Sequence, residues 1–361
     1  MRQAVRIFAG MVAAAVIMSG GHVFSMSGKP DVKQTIRIGF SIPLTGDIGF
    51  IGEGMRDAAI LAKEEMGETK YNYELLFEDD KLDPKIDATV GNKFVSIDRV
   101  DVIVSAGGGS GGVLSRLADR NGIIHFAVTT EPSVTEGENN FAHWTSLPEQ
   151  NRVMAEQIRK RGYTRPAAFV NVSLNDYVSI YNDLKTRVDF VGTQEVQSGQ
   201  KDFRTEIARM KQARPDIIVL ILRTPELEIL ARQIKELGLD VPLTAIESFA
   251  VSKEPELFEG EFFVGGAEPS HGFTGAFRKR FGKDQTIGAA NAYDIVKLVI
   301  TAAENVKSSS KPAPAEISAE LKKIRNFKGA LGTLYVKPNG RVYSSPTVQM
   351  IKNGKVVHIE P

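Results

Sequence analysis

Residues 100–112 read VDVIVSAGGGSGG. A β-branched, almost wholly apolar run passes directly into six residues of glycine and serine, and Val113–Arg120 then follows with helical spacing. Strand, glycine turn, helix is the junction from which parallel sheets are built. Working outward, the same alternation holds on both sides. Thr35–Ser41 (TIRIGFS), Tyr73–Asp79 (YELLFED) and Ile123–Val128 read as strands. Glu53–Met66 and Ile86–Ile97 read as the helices between them, with Pro84 near the first turn of the second. The class is therefore α/β.

The rhythm restarts after Pro148. Helices are predicted at Glu149–Arg161, Tyr177–Arg187, Phe203–Lys211 and Glu226–Leu237, and strands at Ala167–Asn171, Asp216–Leu222 and Pro242–Ile246. Asp216–Leu222 (DIIVLIL) has the near-continuous apolar character of a strand covered on both faces. Ala289–Val306 is a long helix with one apolar stripe, Lys307–Pro314 a polar loop, and the tail is β-structure with turns at Pro338–Gly340 and Asn353–Gly354. Two α/β lobes result, each with its own sheet. Ligands of such sheets sit beyond the carboxyl ends of the strands, so an interlobe cleft is the place to seek function.

The N-terminus has the order of a secretory signal peptide. Arg2 and Arg6 precede an apolar run over Ile7–Met18, and small residues follow up to Ser25. That run is shorter than the roughly 20 residues a membrane span needs. Cleavage is expected after Ser25, which takes two arginines from the 45 basic residues and leaves 43 against 44 acids. A near-neutral chain argues against a nucleic-acid surface. The absence of Cys removes disulfides, thiol nucleophiles and Cys-ligated metal centres. The five histidines are too scattered for a metal site: His125 reads as core, His143 and His271 as loop. No metal or cofactor is expected.

The glycine run supports three chemistries. Gly107, Gly109 and Gly112 satisfy G-x-G-x-x-G, with Glu131 placed as a ribose-binding acid would be. Gly108, Ser110 and Gly112 satisfy G-x-S-x-G, which makes Ser110 a candidate nucleophile, with His271 or His358 and Asp216 or Asp240 in the right chain order. Third, helix N-terminal amides plus the Ser110 hydroxyl form an anion cradle for a carboxylate. A plain tight turn accounts for the same residues.

Taken together, the segments resemble the type I periplasmic solute-binding proteins of the leucine/isoleucine/valine-binding family. The resemblance runs from about Ile36 to the C-terminus. It rests on IRIGFSIPLTG (36–46), IGEGMRDAAILA (51–62), EDDKLDP (78–84), DVIVSAGGGSGG (101–112), NGIIHFAVTTEPSVT (121–135), KDFRTEIARMKQARPDIIVLI (201–221), RQIKELGLDVPLTAIES (232–248), AYDIVKLVITA (292–302) and GALGTLYVKPNGRV (329–342). It implies two Rossmann-like lobes with central parallel sheets, joined by a hinge that the chain crosses three times, near Leu147, Glu268 and Leu331. The lobes would be 31–147 plus 269–330 and 148–268 plus 331–361, after a signal peptide over 1–25.

The resemblance also implies a site. Gly108, Gly109 and Ser110, with Thr129 and Thr130, would hold a ligand carboxylate; the family's serine position falls on Gly108, with Ser110 two residues on. Glu247 would bind the ammonium, Tyr177 would close over the ligand, and Phe50 or Ile51 would line the side-chain pocket. Trp144 and Gln150 lie near the first crossing, beside the cleft. Arg223 stands where the family often places an aromatic. It would either favour ligands with an additional carboxylate or pair with Glu226. The expectation is a monomeric, periplasmic, non-enzymatic protein that binds an amino acid or related small carboxylate and presents it to an ABC transporter permease. An exported serine hydrolase using Ser110 and a ligand-sensing partner of a receptor are the alternatives.

Overall fold

The apolar run at 216–222 shows how the layers are built. In the computed structural model, which describes residues 33–46 and 48–359, Ile217, Val219 and Ile221 enter one core, while Ile218, Leu220 and Leu222 enter another. The two sides of a single strand are thus both dry, and each fully buried aliphatic stabilises by about 1.5–3 kcal/mol relative to exposure. The leader expected over 1–25 lies outside the described residues.

The first stretch places β1 (Thr35–Ile42), α1 (Gly49–Glu65), β2 (Asn72–Asp79), α2 (Pro84–Lys93), β3 (Val102–Ala106), α3 (Gly108–Asn121), β4 (Ile124–Val128) and β5 (Asn140–His143). The second places α4 (Leu147–Lys160), β6 (Pro166–Asn171), α5 (Asn175–Leu184), β7 (Gly192–Val196), α6 (Arg204–Ala213), β8 (Ile217–Ile221), α7 (Glu226–Glu236), β9 (Leu243–Ala245) and β10 (Phe262–Gly265). The third has α8 (His271–Phe281), α9 (Ala289–Asn305), α10 (Pro314–Leu321), β11 (Phe327–Gly329), β12 (Gly332–Val336), β13 (Arg341–Tyr343), β14 (Thr347–Lys352) and β15 (Lys355–His358).

These strands form two separate parallel layers. One sheet has the order β11-β12-β13-β5-β4-β3-β1-β2, with β1 to β5 all parallel. The other has the order β7-β6-β8-β9, also parallel, and a bridge from Ile246 to Val264 leads to a three-stranded sheet of β10, β14 and β15. Among the described residues no helix is long and apolar enough to cross a membrane.

The chain passes between the two sheets at 144–146, 266–270 and 344–346. The third passage corrects the expected crossing near Leu331. Val342 pairs with His143 across β13 and β5, and Leu334, Val336 and Val342 complete the core under α9, so 332–343 belongs to the first sheet. One hydroxyl ties the three passages together. Thr145 Oγ1 lies 2.8 Å from Ser344 Oγ and accepts from the Ala267 N–H at 2.8 Å. Thr145→Val keeps the shape and leaves a buried hydroxyl and a half-buried N–H unpaired, so a loss of about 1–3 kcal/mol is expected in urea unfolding at neutral pH. An unchanged midpoint would show that the passages are held by packing alone.

Two histidine readings change. His143 is not in a loop: it is fully buried at the end of β5, 3.4 Å from Asp294 Oδ2, and Asp294 also accepts from the Leu331 N–H at 3.0 Å. His271 opens α8. His125 is core, as its strand position implies. It contacts Ser105 Oγ at 2.9 Å, and burial pushes its pKa down to about 3, so it is neutral.

Candidate functional site

β9 ends at Ala245, and the next turn creates an unusual position. The Glu247 N–H donates to the Val264 carbonyl at 2.8 Å, and Glu247 has φ +58°. That left-handed region costs a residue with a Cβ roughly 1–2 kcal/mol. Such strain survives only where the surroundings over-determine it, commonly at a binding site. Glu247 Oε1 accepts from Trp144 Nε1 at 3.0 Å and from Gln150 Nε2 at 2.7 Å. Burial pushes the carboxyl above the usual carboxylate range, and the two N–H donors oppose that shift.

Glu247 opens onto a cavity of about 490 Å³ between the two layers. Thr130, Ile287 and Asn291 line one side, Tyr177 and Val251 the other, and Trp144 the passage between them. The lining carries three acids, Asp176, Glu247 and Glu268, and among its described residues no Lys, Arg or His. Much of the remaining wall is apolar, including Leu147, Ile180, Ile246 and Leu331. Burial pushes the Tyr177 hydroxyl up to about 12 although Arg223 pulls it the other way, so it is a neutral donor.

The other expected residues divide. Thr129 is buried behind Thr130, and its Oγ1 accepts from the Glu131 N–H at 3.2 Å. Gly107 (φ +81°) caps α3, leaving the first-turn amides of Gly108, Gly109 and Ser110 without intrahelical partners. A Cβ at Gly108 would meet Glu131 Cβ at 3.2 Å, so a serine here would have to displace that side chain. The Glu131 carboxylate is engaged with Ser133 Oγ at 2.8 Å. Ser110 does not line the cavity: it is 2% exposed and faces Asp87, and among the described residues no histidine bonds to it. Phe50 is 56% exposed on α1 and is not among the cavity-lining residues. Arg223 is exposed, does not line the cavity and does not pair with Glu226, whose Oε1 accepts from the Gly199 N–H instead.

Three features were not read from the sequence. Trp144 and Gln150 were placed beside the cleft, but their shared acceptor depends on the chain turning back at Glu247. Arg341 Nη2 donates to the Thr130 and Glu131 carbonyls at 3.1 and 2.6 Å, fixing that turn from β13. Beneath the glycine loop, Asp80 and Asp87 are both fully buried and lie close enough to shift each other's titration. Ser41 Oγ donates to Asp87 Oδ1 at 2.7 Å, and the Leu82 N–H donates to Asp80 Oδ1 at 2.8 Å. Oδ2 of each carboxyl has no hydrogen-bond partner. Burial pushes Asp80 up to about 7, and Asp87 is raised for the same reason.

Comparison with known proteins now bears on this geometry. The family model described as periplasmic binding protein matches residues 35–355. A Leu/Ile/Val-binding protein homolog 2 of Brucella abortus is 25% identical over 362 aligned positions, covering 95% of this chain and 94% of its own length. The isoleucine complex of a branched-chain amino acid transporter substrate binding protein from Streptococcus pneumoniae superposes with a TM-score of 0.76 at 20% identity, covering 91% of this chain and all of that one. A solute binding protein of an ABC transporter from Rhodopseudomonas palustris, solved with 3,4-dihydroxybenzoic acid, gives 0.72 at 19% identity, covering 91% and 96%.

Proposed function

The chain belongs to the periplasmic binding protein family, and from that premise we propose that it captures an amino acid with an apolar side chain in the cavity and delivers it to an ABC transporter permease. The observation that carries this reading is Glu247: a strained, half-buried carboxylate opening onto a cavity whose wall is otherwise largely apolar. A zwitterion needs an anion facing its ammonium and donors facing its carboxylate. Thr130 in the cavity wall is the candidate donor; the first-turn amides of α3, which lie outside that wall, would add theirs with the positive end of the helix dipole. The two sheets would act as lobes that close over the ligand about the three passages. Tyr177, on the far wall, would cover it.

The charge of the wall narrows the ligand further. Three acids without a lining cation disfavour the additional carboxylate that Arg223 would have favoured. An aromatic acid without an amine, of the kind bound by the Rhodopseudomonas palustris protein, would leave Glu247 unpaired. The leucine-type ligands named for the Brucella and Streptococcus proteins fit the wall better.

Thermal melting of the chain from about Met26 tests this against the twenty common amino acids, dicarboxylates and aromatic acids. A ligand at about 100 times its Kd stabilises by about 2.7 kcal/mol. Apolar amino acids are expected to raise the melting point by several degrees, and dicarboxylates not at all. A rise with aromatic acids alone would remove the ammonium site.

A further inference from the structure

We infer that Trp144 and Gln150 are positioning residues that hold Glu247 with one oxygen occupied and the other free for the ligand. This rests on the reading that Glu247 meets an ammonium. Both N–H groups converge on Oε1, from 3.0 and 2.7 Å, so the carboxylate plane cannot rotate without losing two hydrogen bonds. Gln150 is fully buried and is itself fixed, since its Nε2 also donates to the Thr145 carbonyl at 3.0 Å. Neither donor can take a proton from the carboxyl. Both therefore favour its ionised form, against the burial that disfavours it.

The arrangement also links the site to the hinge. Trp144 and Thr145 are neighbours in the first passage, and Thr145 is the hydroxyl that joins all three. Glu247 stands at the end of a strand of the second sheet. One carboxylate oxygen is thus held by the moving joint while the other opens to the cavity. An ammonium bound there draws on a group whose position depends on the angle between the layers.

Trp144 is the only tryptophan of the chain, so its emission reports this contact directly. The other titratable groups facing the cavity are Asp176 and Tyr177 of α5 and Glu268 of the second passage, with Arg223 within electrostatic reach of Tyr177. A pH titration of Trp144 fluorescence is expected to show one carboxyl transition that disappears in Glu247→Gln. Titration calorimetry with L-leucine on Trp144→Phe gives the second readout. Loss of one donor to a charged group raises the Glu247 pKa by about one unit or more. Affinity should then stay within about threefold of wild type at pH 8.5, and the variant's deficit should grow toward acid, to about tenfold at its limit. A packing role for the indole would weaken binding equally at both values.

The inference is overturned if the emission transition persists in Glu247→Gln, or if Trp144→Phe binds leucine with an unchanged pH profile. Wild-type protein that binds none of the twenty common amino acids but does bind benzoate overturns the ammonium reading itself, and the inference with it. The emission readout compares wild type with the near-isosteric Glu247→Gln, both of which keep Trp144, so it stands whatever Trp144→Phe does.

Discussion

Glu247→Gln is expected to weaken binding of the amino acid by at least about 30-fold while leaving the protein folded. Removing one partner of a buried charge pair costs about 2–5 kcal/mol of binding. The variant is close to isosteric: the amide oxygen can still accept from Trp144 and Gln150, so the turn at φ +58° keeps its anchors. What disappears is the charge opposite the ammonium. Stability at neutral pH should be equal or slightly higher, because the folded chain no longer holds an ionised carboxylate partly out of water.

The pH dependence gives this prediction its sign. Glu247 is raised in the free protein, and a bound ammonium lowers it, so binding the zwitterion releases a proton as pH falls through the raised value. Wild-type affinity should therefore decline toward acid, and Glu247→Gln should show a flat, weak profile over the same range. Calorimetry at pH 5, 6, 7 and 8 reads both. A variant that binds as tightly as wild type would mean that the ligand carries no ammonium or that it sits elsewhere in the cavity.

Local signals carried most of the fold. Strands with an apolar face toward each side, such as 216–222, declare themselves without tertiary knowledge. The strand at 192–196 (GTQEV) does not: it is a sheet edge with a single buried residue, Val196, and its polar pattern reads as loop. The segment 332–343 was legible as β-structure but not as part of the first sheet, because pairing of Val342 with His143 spans 199 residues of sequence separation.

The site shows the same division. Glu247, Tyr177 and Thr130 all line the cavity, and each was legible only through the resemblance, not from its local pattern. Arg223 is less legible, since a guanidinium at a strand end can turn either way; here it is exposed and outside the cavity lining, within electrostatic reach of Tyr177. Ser110 looked like a ligand hydroxyl because three different patterns run through it. In the fold it is buried outside the cavity lining, and its hydroxyl has no hydrogen-bond partner. Nothing in EDDKLDP distinguishes Asp80 from its neighbours, yet Asp79 bonds the exposed Thr45 loop while Asp80 is fully buried. Strand register alone decides that.

Asp80→Asn is expected to stabilise the protein at pH 8 by about 2–4 kcal/mol. Two carboxyls in contact and out of water cannot both ionise cheaply, and a single shared proton satisfies the two oxygens that otherwise have no partner. Burial beside Asp87 pushes Asp80 up to about 7 in the folded chain, against about 3.9 when unfolded. A carboxyl raised by folding contributes stability that is fully present below the unfolded value and is lost as pH climbs to the folded one. The wild-type chain should thus lose stability between about pH 4 and pH 7 through this pair, at about 1.4 kcal/mol per unit. The asparagine side chain would supply the same bridge permanently: its oxygen keeps the Leu82 N–H, and its amide donates to Asp87. Glu261, also raised to about 7 by burial, adds a slope of the same sign, so only the difference between variant and wild type isolates the pair. Urea unfolding at pH 5 and pH 8 measures it. The gain should be small at pH 5 and large at pH 8, whereas equal midpoint changes at the two values would mean that Asp80 and Asp87 hold no common proton.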